Sequence, residues 1–167
     1  MNKLKKQNRV LGIDPGYERV GVAVVEKDKN GKEILLYSDC LRTDKKLTHS
    51  KRLAIIADAL QKLIKKYQPD TLATETLFFE TNQKTAMRVA EARGAILVTG
   101  ALLDLAVREF TPLQIKVAVT GDGRADKKQM ISILPRLIKI PKKKMLDDEY
   151  DAIAVAITCL AIRNPEA

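Results

Sequence analysis

The segment RVLGIDPG, residues 9–16, sets the fold predicted for this chain. Its apolar part, Arg9 to Ile13, predicts a buried β-strand, and Pro15-Gly16 predicts a turn at the end of that strand. Asp14 is therefore expected where the strand stops, with its carboxylate at the edge of a sheet. An aspartate before Pro-Gly is also common in ordinary turns, so a purely structural role remains an alternative.

The residues after this segment predict an antiparallel meander. Residues 20–26 and 34–41 are further strands, and the turn KDKNGK at 27–32 contains an Asn-Gly pair that tolerates positive φ. Apolar residues then recur at helical spacing, which predicts a helix over about 48–67. A short strand, Thr71 to Glu75, follows Pro69-Asp70.

The second half of the chain predicts mainly helices. They span about 82–107, 125–140 and 147–163, and Pro135 predicts a kink or break in the second of them. A short strand at 108–111 and a loop at 141–144 are predicted between the helices. The order βββαβαβαα predicts one α/β domain, a mixed sheet of about five strands flanked by helices. We assign residues 9–163 to this domain, 1–8 to a basic N-terminal tail and 164–167 to a C-terminal tail.

Composition favours a polyanionic partner. Thirty Lys and Arg residues face 21 Asp and Glu residues, a net charge of +9, so nucleic acid is the first candidate, although surplus lysine also serves solubility. Cys40, Cys159 and a single histidine, His49, do not supply a structural zinc site. The absence of a signal-peptide core or membrane-length apolar run predicts a cytoplasmic protein without membrane association.

Four acidic residues stand out by their positions. Asp14 and Glu75 end predicted strands, and glutamate is depleted in strands. Asp148 and Asp151 lie three apart at the start of the last helix, so their carboxylates share one face. The acids at 147–149 also suit helix capping and the helix macrodipole, which is the structural alternative.

Clustered carboxylates would suit hard divalent cations. Two Mg²⁺ ions, for which Mn²⁺ could substitute, roughly 3.5–4 Å apart could hold the attacking and leaving oxygens of an in-line phosphoryl displacement. Without metal, such carboxylates would raise one another's pKa. The sequence therefore predicts a two-ion phosphodiesterase centre if the four acids meet in space.

Five motifs follow one another in unbroken order and together span about residues 9–161. They are LGIDPG at 11–16 with GVAV at 21–24, ETLFF at 75–79, the helix at 82–94 ending in Ala-Arg-Gly, the basic segment IK at 115–116 with GDGRADKK at 121–128, and DEYDAIAVAIT at 148–158. Each is weak alone, but the set resembles RuvC Holliday-junction resolvases, and this resemblance implies a ribonuclease H-like fold.

The resemblance assigns roles to single residues. It implies that the catalytic metal ligands are Asp14, Glu75, Asp148 and Asp151, with Asp147 as the alternative to Asp148. It also implies that an aromatic residue inserts at the junction crossover, with Phe78 as the candidate and Phe79 as the alternative. Two further DNA-binding residues, Lys116 and Lys127, would lie near the scissile phosphate.

The resemblance also implies an activity and partners. A homodimer would nick opposite strands of a four-way DNA junction in pairs during recombination and repair, leaving ligatable 5′-phosphates, with a RuvA/RuvB-type branch-migration motor as partner. The small residues Ala86, Ala90 and Gly94 make the long helix a candidate dimer face, or alternatively an ordinary core face.

Three alternatives stay open on sequence alone. A YqgF-type nuclease acting on RNA would carry similar acids, and a non-enzymatic junction-binding protein could keep the same fold. An actin-like sugar kinase fragment would also open with an Asp-x-Gly motif. The last is disfavoured because the chain is short and the glycines at 121–128 do not have Walker A spacing, so no nucleotide cofactor is expected.

Overall fold

A computed structural model describes residues 8–76 and 83–162. Within these residues the elements are β1 (Arg9–Asp14), β2 (Arg19–Lys27), β3 (Glu33–Arg42), α1 (His49–Tyr67), β4 (Thr71–Glu75), α2 (Gln83–Leu102), β5 (Ala106–Phe110), α3 (Pro112–Thr120), α4 (Lys127–Leu137) and α5 (Asp147–Ala161). No helix among them is long and apolar enough to cross a membrane.

The strands form one mixed sheet in the order β3-β2-β1-β4-β5. β1, β2 and β3 pair antiparallel, which confirms the predicted meander. β4 and β5 extend the sheet in parallel with β1, each after a helical crossover. The predicted five-stranded mixed sheet is therefore confirmed.

Helices cover both faces of this sheet. Alternate side chains of β1, such as Leu11 and Ile13, pack with α1 and α2, whereas Val10 packs with α5. α3 and α4 lie on the same face as α5. Helix α5 is buried without interruption from Ala152 to Cys159, which explains its almost wholly apolar sequence.

Two glycines let α5 lie directly against the sheet. A β-carbon added at Gly12 would lie 2.8 Å from the Ala156 β-carbon and would also clash with the Ala152 carbonyl oxygen. At Gly21, on the paired strand β2, an added β-carbon would overlap the main-chain carbonyl of Asp148. The missing side chains therefore determine how closely the first turn of α5 approaches the ends of β1 and β2.

Several predicted boundaries were wrong. The helix predicted to reach residue 107 ends at Leu102, because the chain turns through Asp104, whose φ is +59°, before β5 begins at Ala106. Helix α4 ends at Leu137, two residues after Pro135. Helix α3 was missed, although Thr111, Pro112 and Gln114 form a capping box with proline at the first helical position.

Candidate active site

Two of the predicted acids meet at one end of the sheet. Asp14 ends β1 and Glu75 ends the neighbouring parallel strand β4, one position beyond the pair Ile13 and Thr74. Residue alternation carries both carboxylates to the face that α5 covers. The carboxyl ends of the two central strands therefore present an acidic pair to the start of α5.

The first turn of α5 adds the other acids. The Asp148 side chain is 15% exposed and the Asp147 side chain 63% exposed, so Asp148 is the one that faces inward. Oδ2 of Asp148 is buried and accepts no hydrogen bond from any described residue; Arg19 Nε lies 3.4 Å from it. Glu149 Oε1 accepts a bond from the Leu146 amide, so the capping role falls to Glu149 and leaves Asp148 free of it.

The pKa shifts indicate that these acids lie close together. Burial, followed by the charges of Asp151, Glu75 and Asp148, raises the pKa of Asp14 to about 7. Burial and the charge of Asp151 raise the pKa of Glu75. Burial also raises the pKa of Asp151, although Lys127 opposes the rise. Mutual repulsion of this kind is what a bound cation would relieve.

Both lysines identified by resemblance lie at this cluster. Lys127 Nζ is 2.9 Å from Asp151 Oδ2 and 3.5 Å from Asp147 Oδ2. Lys116 and Lys127 line a cleft of about 240 Å³ together with Glu75 and Asp151. The cleft is open to solvent and carries both signs of charge on its walls, so a phosphate could approach the acids from this side.

The donor set suits a divalent cation, but the side chains are not closed around one. Carboxylate oxygens are the ligands that Mg²⁺ and Mn²⁺ prefer, and Asp148 Oδ2 accepts no hydrogen bond from any described residue, although Arg19 Nε lies 3.4 Å away. Across residues 8–76 and 83–162, no group of three acidic, histidine or cysteine side chains is arranged to hold a metal ion. Lys127 instead neutralises Asp151, so the acids would have to exchange that contact for a cation.

Three supporting residues could not be recognised as such from the sequence. Buried Arg52 donates to the Tyr17 carbonyl oxygen at 3.1 Å and its guanidinium stacks 3.6 Å from the Tyr17 ring, which holds the turn that follows Asp14. Arg93, in the Ala-Arg-Gly motif, pairs with Glu109 and donates to the Glu75 carbonyl oxygen at 3.4 Å. Arg93 lies in one of the motifs identified from the sequence, whereas Tyr17 and Arg52 lie in none of them, and no motif predicts these contacts.

The structure brings together Asp14, Glu75, Asp151, Lys116 and Lys127. Asp148 lies near Asp151 at the start of α5. The candidate crossover aromatics, Phe78 and Phe79, lie outside the described residues.

Comparison with known proteins identifies the family. The model of the family "Crossover junction endodeoxyribonuclease RuvC" matches residues 10–159. A crossover junction endodeoxyribonuclease RuvC of Thermosipho melanesiensis is 44% identical over 156 residues, covering 93% of this chain and 98% of the relative. The YqgF-type alternative is not supported by these matches.

Solved structures support the same family assignment. Thermus thermophilus RuvC in complex with Holliday junction substrate superposes with a TM-score of 0.83 at 28% identity, covering 90% of this chain and 91% of that one. The yeast mitochondrial Holliday junction resolvase Ydc2 shares the fold, with a TM-score of 0.70 at 14% identity over 96% of this chain and 80% of its own. The predicted ribonuclease H-like fold is confirmed, and the chain belongs to the crossover junction endodeoxyribonuclease RuvC family.

Proposed function

We propose that this chain is a metal-dependent endonuclease that resolves four-way DNA junctions by paired nicking of opposite strands. The observation that carries the proposal is the meeting of Asp14, Glu75, Asp148 and Asp151 at one end of the sheet, in a chain of the RuvC family. The family is one of metal-dependent nucleases. Mg²⁺ is the ion we expect, with Mn²⁺ as a substitute.

The four acids are the proposed metal ligands. Two bound ions would activate a water molecule for attack and stabilise the leaving oxygen of the phosphodiester. Asp148 is preferred to Asp147 because its buried Oδ2 accepts no hydrogen bond from any described residue, whereas Asp147 is exposed beside Lys127. Lys116 and Lys127 line the same cleft and would neutralise charge on the scissile phosphate.

A homodimer is the proposed working form, with α2 as its interface. Along one side of α2, Met87, Val98 and Leu102 are 65%, 57% and 78% exposed. Gly94, in the same stripe, has open space where a side chain would lie, so a second backbone could approach closely there. An exposed apolar stripe of this kind on the surface of a monomer marks a contact surface, and a two-fold dimer would match the approximate two-fold symmetry of a junction.

The remaining partners follow from the same proposal. The sequence has no Walker A spacing, so a RuvA/RuvB-type motor would supply branch migration. Phe78, or Phe79 in its place, is proposed to insert at the crossover, where a ring can stack on an unpaired base. We expect the protein to act on chromosomal DNA in the bacterial cytoplasm, as its relatives are bacterial.

Substrate selectivity tests this proposal. Labelled four-way junction, linear duplex of the same sequence and RNA–DNA hybrid are incubated with the protein, with Mg²⁺ or with EDTA. We expect symmetric paired nicks in the junction alone, and only with Mg²⁺. Cutting of the hybrid in preference to the junction would overturn the proposal in favour of an RNA-directed nuclease. Tight junction binding without metal-dependent cutting would also overturn the proposal and would indicate a junction-binding protein without nuclease activity.

A further inference from the structure

The lysine-rich segment before α5 has no role in the site described above. Lys139, Lys142 and Lys144 are exposed, and none of them forms a salt bridge or a side-chain hydrogen bond with any described residue. We call these three residues the lysine surface. Three unpaired cations within residues 139–144 leave this segment open to an anionic partner.

The segment is held in place by the one lysine that is paired. Lys143 Nζ donates to Glu149 Oε2 at 2.8 Å and to the Ser38 carbonyl oxygen at 3.0 Å. Glu149 is only 4% exposed, and it also accepts from the Ser38 hydroxyl at 3.0 Å. This partly buried network ties the segment to β3 on one side and to the first turn of α5 on the other. A groove of about 330 Å³, lined by residues 35–38 with Lys139, Pro141 and Lys143, runs beside it.

The end of the lysine surface nearest to α5 lies close to the catalytic acids. Lys144 precedes Asp148 by four residues, so their Cα atoms are at most about 14 Å apart even if the chain is fully extended. Successive nucleotides of a strand rise about 3.4 Å along the DNA axis. Lys144 is therefore within about four nucleotides of a phosphate held at Asp148, and Lys142 and Lys139 lie further back along the same segment.

The charge around α5 explains why DNA would need such a contact. Asp147, Asp148 and Asp151 concentrate negative charge at the start of the helix. This charge repels an approaching phosphate backbone until cations offset it. Lys116 and Lys127 offset it on the cleft side, and the lysine surface is placed before the first turn of α5, beside β3.

We propose that Lys139, Lys142 and Lys144 bind the phosphate backbone of the junction arm that flanks the cut strand. The inference rests on the proposed function, since it takes DNA as the substrate. It assigns to the segment a positioning contact that reads no base sequence. Lys143 is the anchor that presents the other three lysines.

Salt dependence of junction binding tests the assignment. Lys139, Lys142 and Lys144 are replaced together by Gln, and the Kd for a fluorescent four-way junction is measured in EDTA from 50 to 300 mM salt. Each phosphate contact contributes about 0.9 to the slope of log Kd against log salt. The slope should fall by about 2 to 3 in this variant, and the triple Lys→Arg variant should keep the wild-type slope.

A matched triple variant controls for the loss of net charge. Lys29, Lys32 and Lys65 are also exposed, but they lie at the opposite end of the sheet from the acids. Replacing these three by Gln should leave the slope within about 0.5 of wild type. Equal slopes for wild type and the lysine-surface variant, or equal losses in the two Gln variants, would overturn the inference. Wild-type cutting of the junction, measured alongside, separates that result from failure of the proposed function.

Discussion

The acidic cluster around Asp14, which the proposed catalysis requires, destabilises the folded protein at neutral pH when no metal is bound. Burial and three neighbouring carboxylates raise its pKa from 3.8 to about 7. The folded chain therefore keeps a proton on Asp14 that the unfolded chain releases near pH 4. The stability that this proton contributes is complete below about pH 4 and is lost as pH rises towards 7 in the absence of metal.

Asp14→Asn removes the contribution of Asp14 to this pH dependence. In EDTA at pH 8 the variant should be more stable than wild type, by up to about 4 kcal/mol, since one pKa unit corresponds to 1.36 kcal/mol. Urea unfolding at pH 5 and pH 8 measures the difference, with Asp58→Asn on the exposed side of α1 as the control. Mg²⁺ at pH 8 should stabilise wild type and not Asp14→Asn. A wild-type stability in EDTA that does not change between the two pH values would contradict this account.

Residue positions at the site were largely predictable, but their contacts were not. A strand end before Pro-Gly located Asp14, and helical spacing put Asp148 and Asp151 on one face. The contact between Lys127 and Asp151 joins residues 24 apart in sequence, and the chain must fold before it exists. Periodicity carries no information on such a pair.

Among the elements, the approach of α5 to the sheet positions the last two acids. Gly21 on β2 leaves room for the main-chain carbonyl of Asp148, and the strand partner of Gly21 is Asp14. The separation between Asp14 and Asp148 therefore depends on a position that carries no side chain.

Gly21→Ala should push the first turn of α5 away from the sheet. Overpacking of this kind costs about 1–3 kcal/mol, and junction cleavage should fall further than stability alone explains, because Asp148 moves. Gly100→Ala is the control, since its added β-carbon would lie 2.8 Å from a Leu72 side-chain atom on the other face of the sheet. Urea unfolding and cleavage rates are compared at a temperature where both variants are folded. Equal activity in the two variants would argue against this role for Gly21.

The elements that the sequence predicted well are those with a clear period and clear stops. Strands β1 to β3 and helix α1 have both. The end of α2 could not be predicted from the sequence, because apolar residues continue from the helix through the turn at Asp104 into β5. Helix α3 is apolar on most sides, so it lacks the one-sided pattern that identified α1, and its capping box was the available signal.

For the whole molecule, paired cutting requires two sites held in one particle. The exposed stripe on α2 is the proposed contact between copies of the chain. Val98, 57% exposed within that stripe, lies where a charge would be buried in the dimer. Burying an unpaired charge costs several kcal/mol, which would be enough to separate the chains.

Val98→Glu should convert a dimer into a monomer in sedimentation experiments, with the fold unchanged by circular dichroism. Nicks made by the monomer should fall singly on the junction instead of in pairs. Val117→Glu, at an apolar residue of α3 that is 48% exposed, should leave the mass of the particle unchanged. A wild-type chain that sediments as a monomer, or a Val98→Glu variant that stays dimeric, would rule out this interface.

The most direct test of the central claim is junction cleavage by single acid variants with Mg²⁺, measured beside junction binding. Asp14→Asn, Glu75→Gln, Asp148→Asn and Asp151→Asn should each cut more than about 100-fold more slowly than wild type, since even an outer partner of a metal ligand contributes 10–100-fold. Their junction Kd should stay near the wild-type value, and exposed Asp147→Asn should keep near wild-type activity. Retained cutting by any of the four variants, or a loss in Asp147→Asn as large as in Asp148→Asn, would contradict the proposed ligand set.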